Sequence, residues 1–322
     1  MKNNIFILPM FFMSIVYSLS SSSWMTIWVG MEMNLLMFIF IILMKKTMMS
    51  NESSMKYFLI QTSGSLIFLF SLTVNMIYYE EWSNINAITP PIALMLKSGM
   101  APLHSWSPEI VCKFDSTSLF LFLTLQKIVP ILIMFSSWIN LMMFIAMTNI
   151  IIGSIGGISQ SSIRKMMIFS SINNIGWMMM SISISMNMFW LFFSIYFIIN
   201  LLMIMLIKNF KINWILQIKS NKMQEKLSFF CILMSLSGLP PFLGFASKWL
   251  VISKNMQNMP MINFIAIFFS IFTLFFYIKY TINMIFMSVS NKKWIINFYM
   301  ANKYFTLNLI NIMGIPVFLT LS

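Results

Sequence analysis

Long apolar runs separated by short polar clusters set the rhythm of this chain. A continuous apolar stretch of about 20 residues predicts a membrane-spanning helix. The alternating ten-residue segments of a membrane β-barrel are not the pattern here. The flanking polar clusters predict eleven spans, at 4–20, 24–44, 57–78, 87–106, 117–137, 139–157, 166–185, 188–207, 227–252, 261–287 and 304–321. The first follows Met1-Lys2-Asn3-Asn4 without an Ala-x-Ala-type cleavage site, and is read as a retained span.

Two spans carry proline and glycine in their middle. The fourth contains Pro90-Pro91, Lys97, Gly99, Pro102 and His104, and the ninth contains Gly238, Pro240, Pro241, Gly244 and Lys248. With spans one to five and six to ten taken as two repeats, each break falls at the fourth member. Five spans is an odd number, so the copies have opposite membrane topology. Paired interruptions in inverted repeats point to a transport site, although prolines also occur as ordinary kinks in membrane helices. The expected fold is therefore an all-α polytopic membrane protein of two inverted five-helix repeats with discontinuous fourth and ninth helices, plus one C-terminal helix. Its parts are a first repeat at 1–137, a second at 138–290, and a C-terminal loop and helix at 291–322.

Composition agrees: 59% of the 322 residues are hydrophobic and 8% charged, against about a quarter charged in soluble domains. The net charge of +13 does not point to nucleic acid, because the basic residues are spread over inter-span loops. With the N-terminus on one side, that side collects Lys2, Lys45, Lys46, Lys56, Lys113, Arg164, Lys165, Lys208, Lys211, Lys219, Lys222, Lys226, Lys292, Lys293 and Lys303. The other side has Lys254 and the acidic pair Glu80-Glu81. The positive-inside rule then places the N-terminus on the cytoplasm-equivalent side and, with eleven spans, the C-terminus opposite. The lysine-rich loop 208–226 is read mainly as a topology determinant that also suits anionic lipid, such as cardiolipin. Cys112, Cys231 and the single His104 make no zinc or iron–sulfur pattern. Heavy use of Met, Phe, Ile, Asn and Lys with one arginine suggests A/T-rich codons and an organelle genome.

The chemistry lies in isolated charges within apolar spans: Glu32, Lys97, Lys127 and Lys248. A charge at bilayer centre costs roughly 2.5–3.5 kcal/mol, and is kept where it pairs or faces a wet cavity. At about 1.5 Å per residue, Glu32, Lys97 and Lys127 fall near mid-membrane, and Lys248 nearer the side opposite the N-terminus. Such a row suits lateral proton relay followed by exit. Each has a plainer reading. Glu32 and Lys97 could form a static pair, Lys127 could bond carbonyls freed by Pro130, and His104 could be a helix-end contact. Lys279 is read as a snorkelling lysine, and Glu109 and Asp115 as solvated loop charges.

Three segments resemble a known family. They are Lys97-x-Gly99-x-x-Pro102-x-His104-x-Trp106 with Pro108-Glu109; Gly156-Gly157-x-x-Gln160 through Arg164-Lys165, Ser170-Ser171-Ile172 and Gly176-Trp177; and Gly238-Leu239-Pro240-Pro241-x-x-Gly244-Phe245-x-x-Lys248-Trp249. As a set, in register over roughly residues 30–250, they resemble the antiporter-like subunits of respiratory complex I, in the mitochondrial form that lacks three N-terminal helices. The resemblance implies a core membrane-arm subunit of an NADH:ubiquinone reductase, multi-pass in the mitochondrial inner membrane, with its N-terminus on the matrix side and its C-terminus on the intermembrane-space side. It implies a proton path of Glu32 with Lys97, then Lys127, then Lys248, with His104 after the first break. No redox centre is expected in this chain; NADH, FMN, iron–sulfur clusters and ubiquinone are expected in partner subunits. The implied partners are other membrane-arm and accessory subunits and lipid, with no nucleic acid and no homo-oligomer. Many relatives carry histidine where this chain has Asn174, so a path must pass there by water or hydroxyl groups. Two other readings remain at this point: a stand-alone cation/proton antiporter, for which the lysine-dominated path is a poor sodium site, and a structural spacer.

Overall fold

The structure is a computed structural model that describes residues 4–77, 83–210, 213–214, 217, 223–257, 259–286, 311–312, 314 and 316. The described residues are helical, apart from turns and one isolated bridge between Ser162 and Trp214. The span at 304–321 falls almost wholly outside them. So do Lys2, Glu80, Glu81, Lys211, Lys219, Lys222, Lys292, Lys293 and Lys303.

Two compact units divide the chain, Met1–Ile145 and Ala146–Ser322. The first holds α1 (Asn4–Ser20), α2 (Trp24–Leu43), α3 (Met48–Ile77), α4 (Ser83–Ser98), α5 (Trp106–Val111), α6 (Ser116–Leu123), a 3-10 turn (Leu125–Lys127) and α7 (Ile128–Ser137). Helix α8 (Ile139–Gly157) starts in the first unit and runs into the second, which continues with α9 (Ile163–Ile182), α10 (Met186–Phe210), α11 (Met223–Ser237), α12 (Leu243–Asn255) and α13 (Pro260–Phe286). Among the described residues, five segments are long and apolar enough to cross a membrane: Trp24–Leu43, Met48–Val74, Ser116–Ser137, Met186–Phe210 and Pro260–Ile282. Phe6–Ser20 and Leu141–Gly157 are shorter apolar helices.

Serine is frequent in these helices because its hydroxyl can bond within its own helix. Ser14, Ser71, Ser170, Ser171 and Ser235 each donate to the carbonyl three residues back. The first unit is centred on aromatic rings, with Phe38 5.1 Å from Tyr57 and Phe122 5.8 Å from Phe114. In the second, α9 is buried along nearly its whole length, Trp177 included. Its polar residues Ser170, Ser171, Asn173, Asn174 and Ser181 are buried with the apolar ones.

Three features differ from the sequence reading. Helix α3 starts nine residues before position 57, because the polar turn read as loop continues as helix. There Glu52 pairs with Lys56 at 2.9 Å, four residues on, and also with Lys113. The fourth and ninth spans, expected to be discontinuous, are each two helical pieces. The fifth, read as continuous over 117–137, is interrupted at Leu125–Lys127. Lys226, placed among loop charges, lies buried in the first turn of α11.

Two side chains near the end of α13 hold the turn after α8. Tyr280 Oη lies 2.6 Å from the carbonyl oxygens of both Gly157 and Gln160. Lys279 Nζ donates to Ile158 O at 3.3 Å, so this lysine serves a helix end, where a cation is favoured, in addition to reaching outward. Tyr280→Phe removes the shared hydroxyl proton and leaves carbonyl oxygens short of a donor. A loss of about 1–3 kcal/mol is expected, read as a lower thermal-inactivation temperature of the assembled protein with its transport intact.

Candidate functional site

Each of the two breaks ends a helix in the same way. At the first, Gly99 takes φ +68°; its N–H donates to Leu96 O at 3.3 Å and the next N–H, of Met100, to Met95 O at 3.0 Å. At the second, Gly238 takes φ +84°; its N–H lies 3.2 Å from Ser235 O, and that of Leu239 lies 3.3 Å from Met234 O. This is a Schellman ending, whose left-handed residue is favourably glycine. The paired glycines in the sequence therefore mark paired chain reversals. Proline follows three residues later in both, at Pro102 and Pro241.

A helix end leaves carbonyl groups without partners, and within a membrane that cost is not relieved by solvent. Side chains meet it differently at the two breaks. At the first, Gln61 of α3 donates to Lys97 O at 2.8 Å. At the second, Lys248 of α12 turns back and donates to Ser237 O at 2.7 Å and Leu236 O at 3.3 Å. Lys248 Nζ also lies 5.8 Å from the centre of the Trp177 ring, within cation–π range. Carbonyl bonding is thus seen in Lys248, for which the sequence reading had not foreseen it.

Lys97 closes the last turn of α4 and reaches α2, where its Nζ lies 3.3 Å from Glu32 Oε1. The lysine is 8% exposed, whereas the glutamate is only half-buried. Beside the pair is a small cavity with about 20 Å³ of space for water centres, room for roughly one water molecule. Lys97, Asn34, Gln61, Tyr57 and Gln126 contribute to its lining. Lys127, 3% exposed, belongs to the 3-10 turn between α6 and α7, with its Nζ 5.9 Å from the centre of the Phe122 ring.

His104 lies in the loop after the first break, with Nδ1 3.1 Å from Pro102 O. Glu109 is exposed in the first turn of α5. Asp115 is paired with Lys45 at 2.8 Å, so its charge is engaged and not simply solvated. Asn174 is buried in α9. Among the described residues there is no group of three or more His, Cys, Asp or Glu that could hold a metal ion.

The first unit therefore brings together Glu32 and Lys97, and places Lys127 in an interrupted helix. The second places Lys248 against its own break. Sequence reasoning passed over Asn34, Gln61 and Gln126, and named Trp177 only as part of a family-like segment. The first three were visible as lone amides in apolar runs, but amides are common enough in membrane helices that only their convergence singles them out.

Interrupted helices, each with a buried lysine, on an all-helical scaffold define an antiporter-like membrane protein. The family model described as NADH:quinone oxidoreductase/Mrp antiporter, TM, matches residues 21–276. NADH-ubiquinone oxidoreductase chain 2 of Anopheles gambiae is 36% identical over 319 residues, covering 96% of this chain and 93% of the relative. The same-named protein of Dasypus novemcinctus is 33% identical over 337 residues, covering 99% and 95%. The chain belongs to the NADH:quinone oxidoreductase/Mrp antiporter family and, within it, to the NADH-ubiquinone oxidoreductase chain 2 proteins. Its fold is similar to a chain of respiratory complex I from Thermus thermophilus, with TM-score 0.77 at 14% identity, covering 96% of this chain and 77% of that one. It is also similar to a chain of the Mrp complex from Dietzia sp. DQ12-45-1b, with TM-score 0.74 at 15% identity, covering 89% and 61%.

Proposed function

We propose that this chain is a proton-translocating membrane-arm subunit of mitochondrial respiratory complex I, driven by electron transfer from NADH to ubiquinone in other subunits. The observation that carries the reading is that Lys97, Lys127 and Lys248 are all buried, the first two standing at helix interruptions and the third reaching back to one from within α12. Irregular backbone at membrane depth is tolerated where it lines a protected or watered space. A buried amine there changes its proton affinity as a carboxylate approaches or retreats.

Glu32 and Lys97 form the loading pair, Lys127 the intermediate carrier, and Lys248 the exit group, with His104 beside the first break. The basic side of the chain, with the N-terminus, faces the matrix, and the C-terminus faces the intermembrane space. FMN, iron–sulfur clusters and the quinone belong to partner subunits in this reading, and the chain works within a hetero-assembly in contact with lipid. Moving one proton against about 100–200 mV costs about 2.3–4.6 kcal/mol. That equals roughly two to three pKa units, a swing that burial and pairing can supply.

Lys127→Met tests the reading, because methionine keeps much of the packing and removes the titrating amine. The measurement is the proton-to-electron ratio of the intact complex in sealed vesicles, at matched assembly. The ratio is expected to fall, or coupled turnover to drop roughly tenfold or more. An unchanged ratio would leave a spacer. A sodium-dependent ratio would favour cation/proton antiport.

A further inference from the structure

Two helical pieces approach the first turn of α12, and both do so across a glycine. One is α11: a Cβ at Gly244 would overlap the Ser235 carbonyl oxygen. The other is the helical stretch around Gly314, described at residues 311, 312, 314 and 316. A Cβ at Gly314 would overlap the peptide that joins Phe242 to Leu243. Glycine lets backbone approach backbone this closely. That peptide is where the second break ends, since Phe242 is the N-cap of α12 and Leu243 its first residue. Phe242 makes no side-chain capping bond, so packing holds the start of the helix. The stretch around Gly314 turns one face inward. Asn311 and Gly314, three residues apart and so neighbours on a helix, are buried, while Ile312 and Pro316 are exposed. Neither amide atom of Asn311 has a hydrogen-bond partner, so its part in this face is bulk and not hydrogen bonding.

Lys248 lies four residues after Gly244, on the same face of α12, and reaches Ser237 O at 2.7 Å and Leu236 O at 3.3 Å. N–H···O bonds keep to about 2.7–3.2 Å, so a shift of α12 by about 1 Å breaks the shorter contact. We propose that the stretch around Gly314 backs the second break and sets the depth of α12 against α11, and that Gly314 is a positioning residue for Lys248. The proposal rests on the reading of Lys248 as the exit group and deepens it. A methyl group at position 314 meets backbone, which has no rotamer to change. The start of α12 must then move, and Lys248 is carried off its carbonyl groups. Gly314 itself moves no proton; it fixes where the amine of Lys248 stands.

The test uses the intact complex carrying Gly314→Ala, Lys248→Met, or both. Assembly is followed on a native gel, the proton-to-electron ratio in sealed vesicles, and the place of Lys248 in a cryo-electron microscopy map. Misplacing a reacting group by about 1 Å can cost roughly 100-fold, so coupled turnover per assembled complex is expected to fall at least about tenfold in Gly314→Ala. Lys248 Nζ is expected to leave hydrogen-bond range of Ser237 O in the same variant. In the Lys248→Met background Gly314→Ala is expected to cost nothing further, because the group it positions is gone. A glycine that serves packing alone predicts less assembled complex but a full ratio in what remains, and that result overturns the proposal. An added loss in the double variant overturns it too. Should Gly314→Ala fail to assemble, Asn311→Ala carries the comparison, since it removes bulk from the same face and creates no overlap. It is expected to lower the ratio only while Lys248 is present, and a full ratio overturns the proposal. Lys248→Met alone separates the two levels. If it lowers the ratio while Gly314→Ala at full assembly does not, only this inference falls; if it leaves the ratio intact, the relay reading falls first.

Discussion

Lys97→Ala is expected to abolish the coupled proton transport that passes through this chain, and Lys97→Arg is expected not to restore it. Lys97 is almost fully buried and faces Glu32 across 3.3 Å. Removing one partner of a buried ion pair costs about 3–5 kcal/mol, because the other charge is left without compensation. Here Glu32 is only half-buried, so the cost should fall below that of a fully buried pair and the alanine variant should still assemble. Arginine decides between the two roles of the pair. It keeps a positive charge and can still pair with a carboxylate, but it does not give up its proton. A static pair would be largely rescued by arginine, whereas a proton carrier would not. The measurement is the proton-to-electron ratio in sealed vesicles for native, Lys97→Ala and Lys97→Arg complexes, with electron transfer and assembly followed separately. Recovery of the full ratio in Lys97→Arg would assign the pair to helix packing.

Gly244→Ala should have the largest effect on assembly. A Cβ at Gly244 would overlap the carbonyl oxygen of Ser235, which is backbone of the neighbouring helix α11 and has no rotamer to change. To make room, α12 must move away from α11, and the carbonyl contacts of Lys248 at Leu236 and Ser237 move with it. Overpacking typically costs about 1–3 kcal/mol and occasionally more; a rigid backbone obstacle puts this site at the upper end. The expected result is a marked loss of assembled complex on a native gel, and a lower inactivation temperature for what remains. Gly64→Ala is the contrast. Its Cβ would come 3.1 Å from Lys97 Cγ, a flexible stem, so assembly should be near normal. Equal yields from the two variants would remove the argument that the second break is packed against a fixed carbonyl.

Much of this was legible along the chain. The breaks at Gly99 and Gly238 could be read because glycine and proline act locally, through φ, ψ and a missing N–H. Their position inside apolar runs marked them as more than loops. The charges Glu32, Lys97, Lys127 and Lys248 stood out because a bilayer makes isolated charge expensive. The interruption at Leu125–Lys127 was legible only in part. Pro130, in the first turn of α7, has no N–H to offer Gln126 O and crowds that carbonyl. That marks a disturbance of the helix, but a proline can also leave a simple kink, and a turn of 3-10 geometry differs from α-helix by one hydrogen-bond step, which packing selects.

The sequence by itself determined the helical class, the rough limits of the long apolar helices, and which charges had to be explained. These follow from transfer free energies and backbone chemistry that act residue by residue. Tertiary structure decided how the charges are used. It set Glu32 against Lys97 across 65 positions of chain and turned Lys248 onto the carbonyl groups of its own break. It also paired Asn34 with Gln126 across 92 positions at the edge of a polar cavity. A hydrogen bond requires two groups within about 3 Å, and which distant groups meet at that range depends on helix packing, which no local pattern encodes.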